Sequence, residues 1–307
     1  MPLDPDVAEL VRTLAETGAP ALSDGTIDEA RRNYDSAPTP EPDPLPHVVD
    51  LHVPGPGGEV PVRVYAAIAN PRRLPVVVFF HGGGWVLSSV DGHDPTARRL
   101  AVLTGALVVS VDYRLAPEHP FPAPHDDCWA VTEWLSREAE SIGGDPTRIA
   151  VAGDSAGGNL AAGVAIRARD EGVALRHQCL IYPCIDDEQE PYESMRQNAE
   201  GYFLSAADMV WFWDRYVDPE LRHDPRAVPA RLDHLSGLAP ALVLTAEFDP
   251  LRDEAETYAE RLSLAGVPVD LVRSPGVVHG FVTRWHTMSR AHEAHEAIAA
   301  ALRHALS

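Results

Sequence analysis

Lysine is missing from this sequence of 307 residues, so all 25 of its basic residues are arginine. Three kinds of site depend on a lysine side chain: the phosphate-binding loop of P-loop proteins, the strand lysine of protein kinases and the lysine that forms a Schiff base. The lack of lysine therefore excludes each of these chemistries.

Cysteine is also scarce. The three cysteines, Cys128, Cys179 and Cys184, are odd in number and show neither a CxxC pair nor zinc-type spacing. Such a set argues against a disulfide framework and against a structural metal. We therefore expect no metal and a reducing cytoplasmic location.

Long hydrophobic runs and excess positive charge are absent as well. No stretch is long and apolar enough to span a membrane, and the opening residues MPLDPDVAEL are acidic without an apolar core, so neither membrane insertion nor a signal peptide is expected. The formal net charge of −21 repels nucleic-acid phosphates, so no nucleic-acid partner is expected. It also disfavours anionic substrates unless the site carries local positive charge.

What the sequence does contain is a series of nearly continuous apolar runs. They occupy residues 76–80, 106–111, 149–153 and 241–246. Runs of this kind are typical of parallel strands that are buried on both faces of a sheet. Helical segments are predicted between them, near residues 94–104, 126–140 and 156–170. This alternation predicts a parallel sheet covered by helices.

The chain before residue 76 has a different character. Residues 5–17 and 27–35 are predicted to form short amphipathic helices, and the proline-rich stretch 37–46 follows them. This N-terminal part is either a plain linker or a cover over the site. Residues 48–53 and 62–67 alternate apolar and polar side chains around a PGPGG turn, which predicts an antiparallel hairpin at a sheet edge.

The strand at residues 149–153 runs directly into Gly153-Asp154-Ser155-Ala156-Gly157-Gly158, and a helix is predicted to begin there. This is the G-x-S-x-G pattern between a strand and a helix. The serine sits on a strained turn, where side chains at the two flanking glycines would collide with neighbouring backbone. Ser155 is therefore the predicted nucleophile.

A triple-glycine loop, His81-Gly82-Gly83-Gly84-Trp85, follows the strand at residues 76–80. Acyl transfer needs backbone N–H groups aimed at the oxygen that becomes negative, and bare glycine backbone can approach it closely. The predicted oxyanion donors are Gly83, Gly84 and Ala156. His81 is expected to anchor this loop by a side-chain hydrogen bond.

Asp249 and His279 complete the predicted triad. Asp249 stands just past the strand at residues 241–246, whereas Asp253 and Glu254 fall in the first turn of the next helix, where the helix dipole alone favours acids. His279 follows a predicted strand near residues 269–273, and the chain order serine, aspartate, histidine is that of α/β hydrolases. Asp249 would orient the imidazole that takes the serine proton.

Other histidines compete with His279 for the role of base. His292 and His295 lie on the last helix, and a solvated helix face is the expected position for both. His93, His119 and His125 lie near loop or helix starts, and the sequence shows no acid paired with them.

Five motifs together resemble the bacterial hormone-sensitive-lipase family (family IV) of esterases. They are HGGGW at 81–85, DYRLAPEHPFPA at 112–123, GDSAGG at 153–158, DPLRDE at 249–254 and HGF at 279–281. The resemblance covers residues 45–285 and implies the same triad and oxyanion donors. The DYRLAPE motif shows no evident chemistry, so Asp112, Arg114 and Glu118 are expected to be structural.

The resemblance also implies an α/β-hydrolase fold with a mostly parallel eight-stranded sheet, flanking helices and a helical cap. Residues 1–45 would form N-terminal cap helices and a linker, residues 185–225 a cap insertion, and residues 46–184 and 226–307 the catalytic core. Within the insertion, Ser205 and Asp208 resemble a capping box that starts an aromatic helix.

The implied activity is cofactor-free hydrolysis of short- to medium-chain acyl esters by a serine carboxylesterase. A non-catalytic, receptor-like ligand-binding protein is the alternative, and an amidase, formamidase or thioesterase would use the same triad. The aromatic residues of the insertion are either core or pocket wall. The candidate substrate contacts are Trp85, Phe203, Leu204, Trp211 and Trp213. A small-molecule ester is the expected partner, and a homodimer is left open.

Overall fold

An eight-stranded sheet forms the centre of the computed structural model, which describes residues 2–18 and 22–307. Its strands follow the order β1-β2-β4-β3-β5-β6-β7-β8. Their bounds are β1 His47–Gly55, β2 Gly58–Ala66, β3 Leu74–Phe80, β4 Leu107–Val111, β5 Gly144–Asp154, β6 His177–Ile181, β7 Ala241–Phe248 and β8 Val269–Val278. The pairings β1–β2 and β2–β4 are antiparallel, and the pairings from β4 through β8 are parallel. The predicted edge hairpin and the mostly parallel eight-stranded sheet are therefore confirmed.

Helices cover both faces of this sheet. They are α1 Pro5–Thr17, α2 Ile27–Asp35, α3 Asp94–Thr104, α4 Ala123–Glu138, α5 Ala156–Glu171, α6 Glu193–Gln197, α7 Ala206–Tyr216, α8 Arg252–Leu264 and α9 Ser289–Ala305. One apolar core joins one sheet face to α4, α5 and α8, and the other joins the opposite face to α3 and α9. Burial on both faces explains why the central strands read as continuous apolar runs. No helix within the described part of the chain combines the length and the apolarity needed to cross a membrane.

The last helix corrects one expectation. His292 is exposed as predicted, but His295 is fully buried, with Nε2 2.9 Å from the carbonyl oxygen of Val282. His295 lies on the same stripe of α9 as Ile298 and Leu302, which the helical period brings to the sheet. Burial lowers the pKa of His295 to about 4.

Candidate active site

Ser155 stands on the sharp turn between β5 and α5. Its backbone has φ 56° and ψ −118°, a strained conformation for a residue with a side chain. The turn closes only because glycines flank it: a Cβ on Gly157 would lie 1.9 Å from the carbonyl oxygen of Phe80, and one on Gly153 would lie 2.2 Å from that of Gly157. The sequence pattern therefore raises the serine hydroxyl above the carboxyl end of β5.

The structure brings Ser155, His279 and Asp249 together in one chain of hydrogen bonds. His279 Nε2 lies 2.8 Å from Ser155 Oγ, and His279 Nδ1 lies 2.7 Å from Asp249 Oδ2. An Nδ1–H that donates to the carboxylate leaves Nε2 as acceptor for the serine hydroxyl. Asp249 and His279 follow β7 and β8, so neighbouring parallel strands deliver both groups to the same sheet edge.

Asp249 is itself held rigidly. Its side chain is fully buried, and Oδ1 accepts a hydrogen bond from the Leu251 amide at 2.9 Å. The Asn198 side chain donates to the Asp249 carbonyl oxygen at 3.1 Å. The remaining oxygen, Oδ2, is the one that faces the imidazole.

The neighbouring acids serve other partners. Asp253 accepts a hydrogen bond from the Ser194 amide at 2.7 Å and pairs with Arg252 at 2.8 Å. Glu254 is fully buried and accepts from the Ile185 amide at 2.7 Å. Both contacts fasten the α8 terminus to the segment after β6, away from the imidazole.

The triple-glycine loop faces the same cavity as Ser155. Gly83 and Gly84 line it and adopt φ angles of 114° and 60°, which favour glycine. A Cβ on Gly84 would lie 2.1 Å from the ring of Phe212. Ala156 opens α5, where amide N–H groups of the first turn have no acceptor within the helix. These are the backbone positions expected of the oxyanion donors.

His81 is an anchor in this loop. Its Nδ1 lies 2.8 Å from the carbonyl oxygen of Gly82, and the Tyr113 hydroxyl donates to the His81 carbonyl oxygen at 2.7 Å. The two rings are stacked with centroids 4.3 Å apart. Burial lowers the pKa of His81 to about 3, so its imidazole is neutral.

A second buried network holds the loop from below, and the sequence did not reveal it. The Gly82 amide donates to Asp154 Oδ1 at 3.0 Å, and His93 Nε2 lies 3.3 Å from the same oxygen. The Ser88 hydroxyl lies 2.9 Å from His93 Nδ1. Asp154, 61 residues along the chain, is thus the acid partner of His93 that the sequence alone did not identify.

The DYRLAPE motif makes structural contacts of the kind expected. Asp112 accepts from the Val90 amide at 3.4 Å, and Arg114 donates to both oxygens of Asp127 at 2.8 Å. Glu118 receives Arg31 of α2, whose guanidinium donates to both of its carboxylate oxygens at 2.7 and 2.8 Å. The motif thus ties the loop behind the site to the N-terminal segment.

A cavity of about 50 Å³ lies directly over Ser155 and His279. Phe203 and Leu204, two of the five candidate substrate contacts, are in its lining. Leu22 and Tyr34 from the N-terminal segment and Phe212 from α7 complete the cap side. Two larger surface hollows, about 660 and 830 Å³, lie elsewhere on the sheet and contain none of the triad.

The three tryptophan candidates lie outside this lining. Trp85 is buried and stacks on Tyr216 with centroids 4.1 Å apart, and Trp213 packs against Trp85 at 4.5 Å. Trp211 is half-buried and faces the guanidinium of Arg215, 3.8 Å from its ring centroid. Their contacts are aromatic core packing for Trp85 and Trp213 and cap-surface packing for Trp211.

Side-chain contacts fasten the cap side of the cavity. Besides its pairing with Glu118, Arg31 donates to the carbonyl oxygens of Val86 and Ala116 at 2.9 and 3.1 Å. The Ser23 amide donates to Asp208 Oδ1 at 2.9 Å, while Asp208 Oδ2 accepts from the Ser205 hydroxyl at 2.7 Å in the predicted capping box. The N-terminal segment is thus fastened where two of its side chains, Leu22 and Tyr34, line the cavity.

Comparisons with known proteins agree with this arrangement. Residues 77–283 match a family model described as alpha/beta hydrolase fold. The chain is 44% identical to carboxylesterase NlhH of Mycobacterium tuberculosis, over 98% of this chain and 97% of that protein. It is 37% identical to ethyl acetate hydrolase of Pseudomonas putida, over 95% and 96% of the two chains. A hyperthermophilic esterase of Pyrobaculum calidifontis matches with a TM-score of 0.92 and 42% identity, over 99% and 98% of the two chains.

Proposed function

This chain belongs to the α/β-hydrolase fold family, in its hormone-sensitive-lipase-like branch, and is a carboxylic ester hydrolase; on that premise we propose how its residues divide the reaction. Ser155 is the nucleophile, His279 the general base and acid, and Asp249 the group that orients the imidazole. The observation that carries this proposal is the continuous hydrogen-bonded chain from Ser155 Oγ through His279 to Asp249, opening onto a cavity.

Acylation begins when Ser155 Oγ attacks the ester carbonyl carbon while His279 Nε2 takes the hydroxyl proton. The carbonyl oxygen becomes negative, and the amides of Gly83, Gly84 and Ala156 donate to it. His279 then gives its proton to the leaving alkoxide as the carbon–oxygen bond breaks. Asp249 stabilises the imidazolium in the meantime. The product of this half-reaction is an acyl-serine ester and a free alcohol.

Deacylation repeats these steps with water in place of the serine. His279 takes a proton from water, the hydroxide attacks the acyl carbon, and the Ser155 oxygen leaves with the proton that His279 returns. The carboxylic acid is released and the free enzyme is restored. No atom of a metal or cofactor enters this balance.

Short- to medium-chain acyl esters are the proposed substrates. The support is the apolar side chains of Phe203, Leu204 and Phe212 in the cavity wall over Ser155, together with the likeness to an ethyl acetate hydrolase. The same triad would serve amide or thioester hydrolysis, but the relatives are a carboxylesterase and an ethyl acetate hydrolase, which favours an ester. A purely ligand-binding role is disfavoured because His279 is present and in contact with Ser155.

A cytoplasmic location fits the three free, buried cysteines. The proposed cap comprises residues 1–45 and 185–225, and the proposed core comprises residues 46–184 and 226–307. The support is that Leu22, Tyr34 and Phe212, which belong to the first two segments, line the cavity opposite the sheet. The partner is a small-molecule ester.

The test is hydrolysis of p-nitrophenyl butyrate by the purified chain beside Ser155→Ala. We expect turnover by the native chain and background rates for the variant, because the variant lacks the attacking oxygen. Ser110→Ala is the matched control, since it removes a fully buried hydroxyl on β4 that lies outside the cavity lining. Absence of turnover by the folded native chain would count against the proposal.

A further inference from the structure

Arg284 is a cation in the cavity wall that the proposed reaction does not use. It ends the short 3₁₀ turn Phe281–Arg284, which begins two residues after His279. Its side chain lines the same cavity as Ser155 and His279. The loop that carries the base therefore also carries a guanidinium into the site.

This guanidinium lacks a protein partner. Among residues 2–18 and 22–307, no side chain or carbonyl forms a hydrogen bond or an ion pair with it; its contact is the ring of Phe203, whose centroid lies 4.8 Å from Cζ. Arg31, on the cap side of the same region, is bonded to Glu118 and to two carbonyl oxygens. Arg31 is therefore a structural arginine, whereas the hydrogen-bond donors of Arg284 are unused.

Arg284 is half-buried, and partial removal from water makes the unused charge costly. Removal from water lowers the pKa of Arg284 from its usual value, although arginine keeps its proton in proteins. A desolvated, unpaired cation destabilises a fold unless a partner neutralises it. The sequence has 46 acidic residues that could have supplied one, yet none lies within ion-pair distance of Arg284 in the described chain.

A second donor faces the same space. Tyr34 of α2 lines the same cavity as Arg284. Burial is the main cause that raises the pKa of Tyr34, so its hydroxyl keeps its proton and can donate. A planar guanidinium and a phenol hydroxyl in one cavity wall are suited to bind a carboxylate oxygen pair.

We propose that Arg284 selects esters that carry a second, anionic oxygen group, such as a carboxylate, on their acyl or alcohol part. This rests on the esterase function proposed above and names its substrate class. The guanidinium binds the distant carboxylate while Ser155 attacks the ester carbonyl. It also supplies the local positive charge that a protein of net charge −21 needs to admit an anion.

Two matched substrate pairs test the proposal. On the acyl side, p-nitrophenyl hydrogen glutarate is compared with p-nitrophenyl pentanoate; on the alcohol side, 4-carboxyphenyl butyrate is compared with 4-carbamoylphenyl butyrate. The measured quantity is the ratio of kcat/KM for the anionic over the neutral ester. Arg284→Met should lower that ratio at least about ten-fold for one pair, because a charge-assisted hydrogen bond is lost. The alcohol or acyl pair that responds identifies the side.

Arg215→Met is the control variant. Like Arg284, Arg215 stacks on an aromatic ring, that of Trp211, but it lies outside the cavity lining. If contact between Arg284 and the substrate sets the preference, Arg215→Met should leave both ratios within about two-fold of the native values. Equal ratios in the native chain and Arg284→Met, on both pairs, would overturn the proposal. A fall of the same size in Arg215→Met would overturn it too, since general charge would then be the cause.

Calorimetry provides a readout that does not need turnover. Pentanoate and pentanamide are titrated into Ser155→Ala and into Ser155→Ala/Arg284→Met; a preference for the anion that falls with the loss of Arg284 supports the proposal, while a preference that is absent or unchanged by that loss contradicts it. This measurement separates the two proposals. If no neutral ester is hydrolysed, the esterase proposal fails, and calorimetry still decides whether Arg284 recognises a carboxylate.

Discussion

The cavity over Ser155 has two walls of different construction. The core wall consists of Ser155, His279 and the glycine loop at the carboxyl ends of the sheet strands. Backbone contacts fix it: the Ser155 amide donates to the Ile181 carbonyl oxygen at 2.8 Å, and Gly157 leaves no space for a side chain. Positions in this wall follow from strand pairing.

The cap wall consists of Leu22, Tyr34, Leu204 and Phe212. It is fastened by side chains that bridge long distances in sequence, such as Arg31 to Glu118 across 87 residues and Ser23 to Asp208 across 185. Backbone contacts therefore fix the positions of the reacting groups. Side-chain contacts, which can change independently of the backbone, fix the shape of the space around the substrate. Changes in the two walls should therefore have separable effects.

The largest expected effect comes from the core wall. Asp249→Asn is isosteric and keeps an acceptor for the Leu251 amide, but an amide that donates to His279 forces the wrong imidazole tautomer. We expect kcat for p-nitrophenyl butyrate to fall about 10³- to 10⁴-fold, with thermal unfolding little changed. Asp253→Asn is the control, because Asp253 contacts Ser194 and Arg252 instead. Equal losses in both variants would remove Asp249 from its proposed role.

An intermediate effect compares the buried sheet core at His177 with the cap ion pair at Glu118 by their response to acid. Burial lowers the pKa of His177 to about 4. As the pH falls below about 6.5, His177 therefore binds a proton in the unfolded chain but stays neutral in the folded chain. The core therefore loses stability as pH falls from 6.5 toward 4, with about 3 kcal/mol attributable to this histidine. The pKa of Glu118 is lowered to about 2 by its hydrogen bond with Arg31, so the cap ion pair persists through that window.

Urea unfolding measured from pH 7 to pH 4 checks this. His177→Gln should flatten the fall in unfolding free energy, whereas His292→Gln, at an exposed position on α9, should leave it unchanged. Parallel curves for the native chain and His177→Gln would show that the buried histidine is not the source of the acid sensitivity.

The smallest expected effect comes from the cap wall. Arg31→Gln removes the bonds that hold α2, and with it Tyr34, against the DYRLAPE loop. We expect KM for p-nitrophenyl butyrate to rise about three- to ten-fold, on the scale of a lost charge-assisted hydrogen bond, while kcat changes less because the triad is untouched. Arg32→Gln, on the exposed face of the same helix, is the control. A fall in kcat that exceeds the rise in KM would mean that the cap also positions the triad.

The core wall was largely predictable from the sequence. Continuous apolar runs indicate buried parallel strands, and such strands end at a common edge, so Ser155, Asp249 and His279 could be placed together from their position after three strands. Glycines at positions 153 and 157 added a steric requirement that the structure meets. Local sequence determines this wall because backbone geometry determines it.

The cap wall was less predictable. Aromatic density in α7 indicated a hydrophobic helix but not which face meets the substrate, and Phe212 lines the cavity while Trp213, one residue on, enters the core. Leu22, Tyr34 and Arg284 carried no signal: Arg284 is one of 25 arginines, distinguished only by the partners it lacks. The pairing of His93 with Asp154 likewise depends on a contact between distant parts of the chain.

The size of the cavity has a kinetic consequence. About 50 Å³ accommodates one or two water molecules, far less than the several hundred cubic ångströms of an ordinary ligand pocket. Entry of an ester therefore needs the cap wall to move, and we expect substrate capture to depend on how often it does so. A rise in solvent viscosity should consequently lower the specificity constant, even for esters whose chemistry at Ser155 is identical.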